Sequence, residues 1–244
     1  MPSLPFARAL RRAASAAFAA SIATPALAAP DYPHVPEPMI FDMMRQLGAR
    51  QGELEVNTLA TRPLSGADTS TSWAPEIEYA VADGFAVEFE LPFENSRLTE
   101  LKLGLQAAFG SFNHGRSAHG IQYLGIYDRH TTRYSSSAAY MLAHRFNRHW
   151  STLSMAGLSN IAGHRDEGRN ALIINHSTFY DAGKHSILGL EVNYLGGHDG
   201  HVLVMPQLHQ KLARTVNVQL GMGAQKQRGE AFRPKAGIRL IREF

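Results

Sequence analysis

Residues 76–93 read EIEYAVADGFAVEFELPF, two alternating runs on either side of the dipeptide Asp83-Gly84. Apolar side chains occupy every second position of both runs, and four of the positions between them are glutamates. A period of two is typical of a β-strand with one apolar and one polar face. Asp-Gly between two such runs predicts a two-residue hairpin turn. The stretch therefore predicts a β-hairpin with a glutamate-rich face.

The same alternation extends outward from this hairpin in both directions. It recurs at 54–58 and 101–109 and continues less regularly to the end of the chain, which predicts about twelve strands, most of roughly 10–13 residues. The later strands are expected near 119–128, 133–146, 149–162, 170–180, 185–196, 201–212, 215–226 and 233–244. Turn-forming residues separate them at 147–148, 164–169, 181–184, 196–200 and 227–230.

Strand length decides between fold classes. Strands of soluble proteins average about 5–6 residues, whereas strands that cross an outer membrane need about 9–11. In lipid every backbone amide needs a partner, and a closed sheet has no free edge. We therefore predict an all-β fold, a single antiparallel up-and-down transmembrane β-barrel over 51–244. A soluble β-sandwich or lipocalin-like barrel would show the same alternation with its apolar face turned inward.

The N-terminus predicts export. Residues 1–28 hold three arginines, an alanine-rich apolar stretch and a final Ala26-Leu27-Ala28, the anatomy of a cleaved signal peptide. Residues 29–50 are expected to form a periplasmic N-terminal segment. Four prolines in 30–38 exclude regular structure there, and the spacing of Met39, Met43 and Leu47 predicts a short amphipathic helix. The sequence leaves open whether this segment lies inside the barrel.

Composition removes several classes of function. The 244 residues include no cysteine, which excludes disulfides, thiolate metal centres and cysteine nucleophiles. Three of the 24 Lys and Arg residues lie in the leader, so the remaining chain balances its 21 acids. A neutral chain offers no case for binding nucleic acid.

The apolar faces carry aromatic residues near strand ends, which suits girdles at the two interfaces of a bilayer. These residues are Trp73, Tyr79, Phe85, Phe93, Phe109, Tyr134, Phe146, Trp150 and Tyr180. The last strand ends on Phe244, with Ile238 and Leu240 on its apolar face. This ending resembles the C-terminal signature that the barrel-assembly machinery recognises in bacterial outer-membrane proteins. We predict Phe244 as the assembly signal and outer-membrane lipid as the surrounding medium.

The stretch Trp73–Phe93, followed by Leu101-Lys102-Leu103, resembles the hairpins of small proteobacterial outer-membrane proteins. It is similar to the group named "MetA-pathway of phenol degradation". The sequence departs at Ala80, where that pattern usually has glycine. The resemblance implies a barrel with an outer-membrane address, and it implies little about a substrate.

The polar faces would line the lumen. The predicted lumen-lining residues are Glu53, Glu55, Glu76, Glu78, Glu88, Glu90, Lys102 and Arg239. Neighbouring glutamates repel one another, so we expect some to pair with Lys102, Arg239 or Arg145. The main interpretation is a small channel or transport-associated barrel with an ionic lumen, open to a small polar solute. A structural barrel with a plugged lumen is the first alternative.

Enzyme and metal functions have weaker support. Some outer-membrane barrels are lipid hydrolases with a Ser–His pair on the outer wall, and His144, His176 and His209 invite that alternative. His176 and Ser177 point to opposite faces of a strand and so cannot pair, and Ser159-Asn160 lacks a preceding histidine. The loop residues His164, Asp166, Glu167, His198, Asp199 and His201 would suit weak zinc or copper capture, but solvated loops explain them better. We therefore predict no catalytic residue, no metal and no cofactor.

Sidedness follows from the strand count. With the N-terminus in the periplasm, 63–72, 164–169 and 196–200 would face outward, and the short turns at 83–84, 147–148 and 181–184 would face the periplasm.

Overall fold

The computed structural model describes residues 32–41, 43–66, 69–161, 170–197 and 200–244. Antiparallel strands dominate this part of the chain. They are β1 (Leu54–Pro63), β2 (Ser72–Ala82), β3 (Phe85–Glu90), β4 (Phe93–Glu94), β5 (Arg97–Leu98), β6 (Glu100–Phe112), β7 (Ser117–Asp128), β8 (Arg133–Arg145), β9 (Trp150–Ser159), β10 (Ala171–Asp181), β11 (Ser186–Leu195), β12 (His201–Ala213), β13 (Val216–Gln227) and β14 (Arg233–Glu243).

The sheet closes on itself. Each of the twelve longer strands pairs with the next along the chain, and β1 pairs with both β2 and β14. The two-residue strands β4 and β5 form a small hairpin that extends β2. Over the described residues the fold is a closed twelve-strand antiparallel β-barrel, which confirms the fold class predicted from the alternation. No helix in this part of the chain is long and apolar enough to cross a bilayer.

The connections divide the barrel into two ends. The turn end carries the connections at 83–84, 113–116, 146–149, 182–185 and 214–215, together with the start of β1. The loop end carries those at 64–71, 91–99, 129–132, 160–170, 196–200 and 228–232. Asp83-Gly84 forms the predicted turn, and Gly84 adopts the left-handed φ of 73° that glycine tolerates best. The predicted turn at 164–169 lies outside the described residues.

The apolar face points outward. Ile77, Phe89, Leu103, Leu190 and Leu240 are each between 43% and 56% exposed although they sit mid-strand. Exposed aromatic rings collect at both ends of the wall. Those at the turn end are Phe85, Phe109, Phe146, Trp150 and Phe244, and those at the loop end are Tyr127, Tyr134, Tyr194 and Phe232. An apolar band between two aromatic belts is the outer surface of a membrane barrel, and it excludes a soluble sandwich with an apolar interior.

The predicted helix over Met39–Leu47 is wrong: the described residues of this stretch form bends and a turn. Met39, Met43 and Leu47 are all buried, as an amphipathic helix would bury them, but the barrel wall surrounds the segment and covers them from several sides. The wall also supplies hydrogen-bond acceptors for the backbone, so the segment has no need of helical hydrogen bonds. The predicted signal peptide, residues 1–28, lies outside the described residues and stays a prediction.

Candidate functional site: the barrel interior and its plug

Residues 32–50, which we call the plug segment, enter the barrel at the turn end and return to it. At its two ends the segment lies beside the turn after β2: the N–H of Gly84 donates to the carbonyl of Ala49 over 2.8 Å, and the Tyr32 hydroxyl approaches Gly84. Between them the chain reaches mid-barrel, where Met39 and Met44 are fully buried. The plug segment is thus a re-entrant loop, and its tip, residues 39–41, occupies the lumen.

Glu191 holds the tip. Its carboxylate accepts hydrogen bonds from the backbone N–H groups of Met39, Ile40 and Phe41 at 2.9, 3.0 and 2.7 Å. It also accepts from the side-chain amide of Asn193 at 2.8 Å. Glu191 is fully buried in the middle of β11 and forms no ion pair within the described chain. Three consecutive backbone N–H groups thus converge on one carboxylate, which fixes the tip to β11.

Glycines in the wall make room for the plug side chains. A Cβ at Gly104 would lie 2.7 Å from Cε of Met44, and one at Gly120 would lie 2.8 Å from a methyl of Leu47. The side chain of Met39 fills two such sockets, at Gly221 and Gly237. Methionine is unbranched and fills irregular gaps well. The lumen is therefore shaped to take these side chains.

A buried ionic cluster lies where the barrel closes. Arg239 on β14 donates to Asn57 on β1 at 3.0 Å, and to Glu76 and Glu78 on β2 at 2.6 and 3.3 Å. Its guanidinium is also 3.6 Å from the carboxylate of Glu37 in the plug segment. One arginine thus joins three adjacent strands across the closing seam and ties the plug to them.

A second cation, Arg45, ties the returning arm of the plug to β1. Its guanidinium lies 3.2 Å from Glu53 and 3.7 Å from Glu55. The backbone carbonyl of Arg45 accepts a hydrogen bond from the side-chain amide of Gln106. Burial, reinforced by the neighbouring Glu55 and opposed by Arg239, raises the pKa of Glu37 to about 8.

The structure places the predicted lumen residues as follows. Glu55, Glu76, Glu78, Glu88, Glu90 and Arg239 are buried inside the barrel, Lys102 is partly buried and bonded to Glu90, and Glu53 is partly exposed beside β1. Carboxylate oxygens of Glu76, Glu88 and Glu90 lie within 4.8 Å of one another, but Glu76 is paired with Arg239 and Glu90 with Lys102. Arg145 pairs with Asp181 at the turn end instead of with a glutamate.

Phe244 follows β14 at the turn end. Its N–H donates to Leu54 over 2.9 Å, its ring lies 4.9 Å from the guanidinium of Arg242, and the side chain is exposed. Its role as an assembly signal remains a prediction.

The opposite wall was not predicted from the sequence. Strands β10–β13 turn buried amide and hydroxyl groups into the lumen, namely those of Asn175, Ser177, Asn193, Gln207 and Gln219. The alternation of inward and outward positions along β11 could have revealed Glu191, because it is the one charged residue of SILGLEVNYL and falls on the inward face. The barrel interior therefore has an acidic wall on β1–β3 and an amide-lined wall on β10–β13, while the wall on β7–β9 is mainly apolar and buries Met141, Leu153 and Met155.

The histidine candidates lie apart from one another, and His144 bonds Ser117 on the neighbouring strand at 2.8 Å. His176 is exposed on the outer face and Ser177 is buried inside, which confirms that they cannot pair. His176 instead bonds Ser154 on the neighbouring strand at 2.8 Å, and no acid bonds this histidine within the described chain. His209 is buried beside Gln207. The loop residues His164, Asp166, Glu167, His198 and Asp199 lie outside the described residues.

A closed barrel with an apolar band between two aromatic belts defines an outer-membrane β-barrel. Residues 33–243 match the family described as HAEPLYID-like, and the chain belongs to that family. In one-letter code this description contains EPLYID, which is similar to residues 37–42 of the plug, EPMIFD. The finer resemblance to the "MetA-pathway of phenol degradation" group is not confirmed. No curated protein sequence matches the chain.

Solved structures of outer-membrane channels share the fold. The COG4313 outer membrane channel from Pseudomonas putida F1 matches with a TM-score of 0.63 at 11% identity, over 82% of this chain and 98% of that one. The NanC porin matches at 0.61 and 9% identity, over 77% and 98% of the two chains. The KdgM porin matches at 0.58 and 11% identity, over 76% and 97%. The shared fold and the outward apolar band between two aromatic belts together confirm the predicted outer-membrane location.

Proposed function

We propose that this protein is a small outer-membrane channel for polar solutes, and that the plug segment is its gate. The observation that carries the proposal is the re-entrant plug, which non-covalent contacts hold in a lumen with an acidic wall and an amide-lined wall. A cavity of about 500 Å³ opens at the loop end, and cavities of about 430 and 400 Å³ open at the turn end. At the tip the cavity is about 80 Å³. Withdrawal of the tip would join these spaces into a passage.

The solute class follows from the wall. Carboxylates, amides and hydroxyls form favourable hydrogen bonds with polar solutes, and an apolar solute would leave them unsatisfied. One structural neighbour, the KdgM porin, was solved in complex with disordered oligogalacturonate, a polar solute. That likeness supports passage of small polar solutes in general and names no particular one for this chain.

The gate is tested by placing a charge on the plug. Met44 is fully buried against Gly104, close to the Cβ of Glu88, so Met44→Asp would bury a carboxylate beside another one. An uncompensated buried charge costs about 3 kcal/mol or more, which shifts a two-state equilibrium more than about a hundredfold toward the open form. We expect frequent, larger openings in planar bilayers from M44D than from the native protein.

Leu64→Asp, on an exposed loop-end residue, is the matched control and should conduct like the native protein. Absence of current from both M44D and the native protein, with heat-modifiable barrels in each case, would refute the channel and favour the plugged structural barrel.

A further inference from the structure

Glu191 is a carboxylate surrounded by uncharged donors. Besides the three N–H groups of the tip, its oxygens face the side-chain amides of Asn193, Asn175 and Gln207, at 2.8, 3.3 and 3.5 Å. Within the described chain no cation pairs with it. The site is therefore suited to neutral hydrogen-bond donors, and the plug currently supplies half of them.

The side chains around Glu191 add further uncharged hydrogen-bonding groups and an aromatic ring to this site. Asn175, Asn193 and Gln207 can each donate and accept, and Asn175 also bonds Asn193. Phe179, fully buried and inward-facing, lies one inward position from Ser177 toward the turn end. Amides that donate and accept, one carboxylate and an aromatic ring together match a molecule with several hydroxyls and an apolar ring face.

We propose that Glu191, Asn175, Asn193 and Gln207 form a binding site for an uncharged, hydroxyl-rich solute such as a neutral sugar, and that the plug tip occupies this site by imitating it. The proposal rests on the proposed function and names its solute class. Adjacent hydroxyls would donate to the Glu191 carboxylate in place of the three N–H groups of residues 39–41. An anionic solute would meet the charge of Glu191, and a cationic one would favour the glutamates of β1–β3.

Competition between solute and plug is measurable because the chain has no cysteine. Phe41→Cys places a single thiol on the tip and keeps the backbone N–H that bonds Glu191. Its alkylation by a maleimide reports how often the tip leaves the site. Maltose, at about ten times its dissociation constant, should displace the tip and raise the alkylation rate about tenfold. Galacturonate and spermidine at the same concentration should leave the rate unchanged.

Gln207→Leu identifies the site. Gln207 touches Glu191 and has no hydrogen bond to the described plug residues. The ratio of the alkylation rates with and without maltose should therefore fall most of the way to one in F41C/Q207L, whatever its basal rate. The control is F41C/Q219L, which changes a buried, inward-facing glutamine that does not bond Glu191. Equal rates with and without maltose, equal effects of all three solutes, or equal responses of Q207L and Q219L would each overturn the proposal.

The same preparations separate the two proposals. Bilayer current without a maltose effect would leave the channel standing and remove the sugar site. A maltose effect without current would leave the site standing and remove the channel.

Discussion

Replacing Arg239 by methionine removes a guanidinium that contacts three glutamates inside the barrel. Glu37, Glu76 and Glu78 approach its guanidinium at 3.6, 2.6 and 3.3 Å, and the side chain of Arg239 is 4% exposed. Methionine keeps the apolar stem and much of the volume. The variant therefore isolates the charge and its hydrogen bonds from packing.

The expected loss is large because the partners stay behind. Removing one member of a buried ion pair costs about 3–5 kcal/mol, since the remaining charge is left uncompensated in a dry site. At about 2–4 °C per kcal/mol for a chain of this size, the unfolding temperature should fall by about 6–20 °C. The double variant R239M/E76Q should recover part of that fall, because it also removes the nearest carboxylate.

The assay is the heat-induced mobility shift of the barrel in detergent, followed over temperature. Arg233→Met is the matched control: it also breaks an arginine–glutamate contact, but Arg233 and Glu230 are 44% and 41% exposed. Exposed pairs contribute about 0–1 kcal/mol, so R233M should shift the transition by less than about 4 °C. If R239M unfolds at the same temperature as R233M, the cluster is hydrated and the buried ion-pair argument fails.

Three further predictions concern assembly, sidedness and pH. Deleting Phe244 should reduce the heat-modifiable barrel in the outer membrane, and native levels after deletion would contradict its role as an assembly signal. A cysteine at Ser65 should label with an impermeant reagent on intact cells while one at Gly183 should not, and the reverse pattern would invert the topology. Because burial raises the pKa of Glu37 from 4.5 to about 8, its contribution to the closed state is complete below pH 4.5 and lost as pH rises toward 8. Conductance should rise over that window and stay flat in Glu37→Gln; equal pH profiles would count against this coupling.

The strands were predictable because strand pattern is local. Alternation and turn residues located β12 within a residue, 201–212 against His201–Ala213, and the hairpin at Asp83-Gly84 directly. Length then selected the membrane barrel, and closure followed from the need to pair every edge in lipid.

The plug was not predictable in the same way. A spacing of four between Met39, Met43 and Leu47 fits a helix, and it fits equally well a bent segment whose side chains enter glycine sockets. Gly104 and Gly221 lie far apart in sequence, and they leave space for plug side chains only in the closed barrel. The contact at Glu191 likewise depends on the backbone of residues 39–41 lying beside it. The strand pattern predicts that Glu191 points inward, but it does not predict this partner.

The re-entrant path of the plug makes it a tethered competitor. From Phe41 to Leu54 the chain can extend at most about 45 Å, so a withdrawn tip never leaves the neighbourhood of its mouth. A plug tip on so short a tether has an effective concentration of roughly millimolar at its site, whatever the amount of protein in the membrane. A free solute keeps the passage open only when its concentration, multiplied by its affinity for the site relative to that of the plug tip, exceeds this local concentration. The length of this tether therefore sets the solute concentration that is needed to keep the passage open. A longer connection between Arg50 and Leu54 would lower that concentration without altering a contact in the lumen.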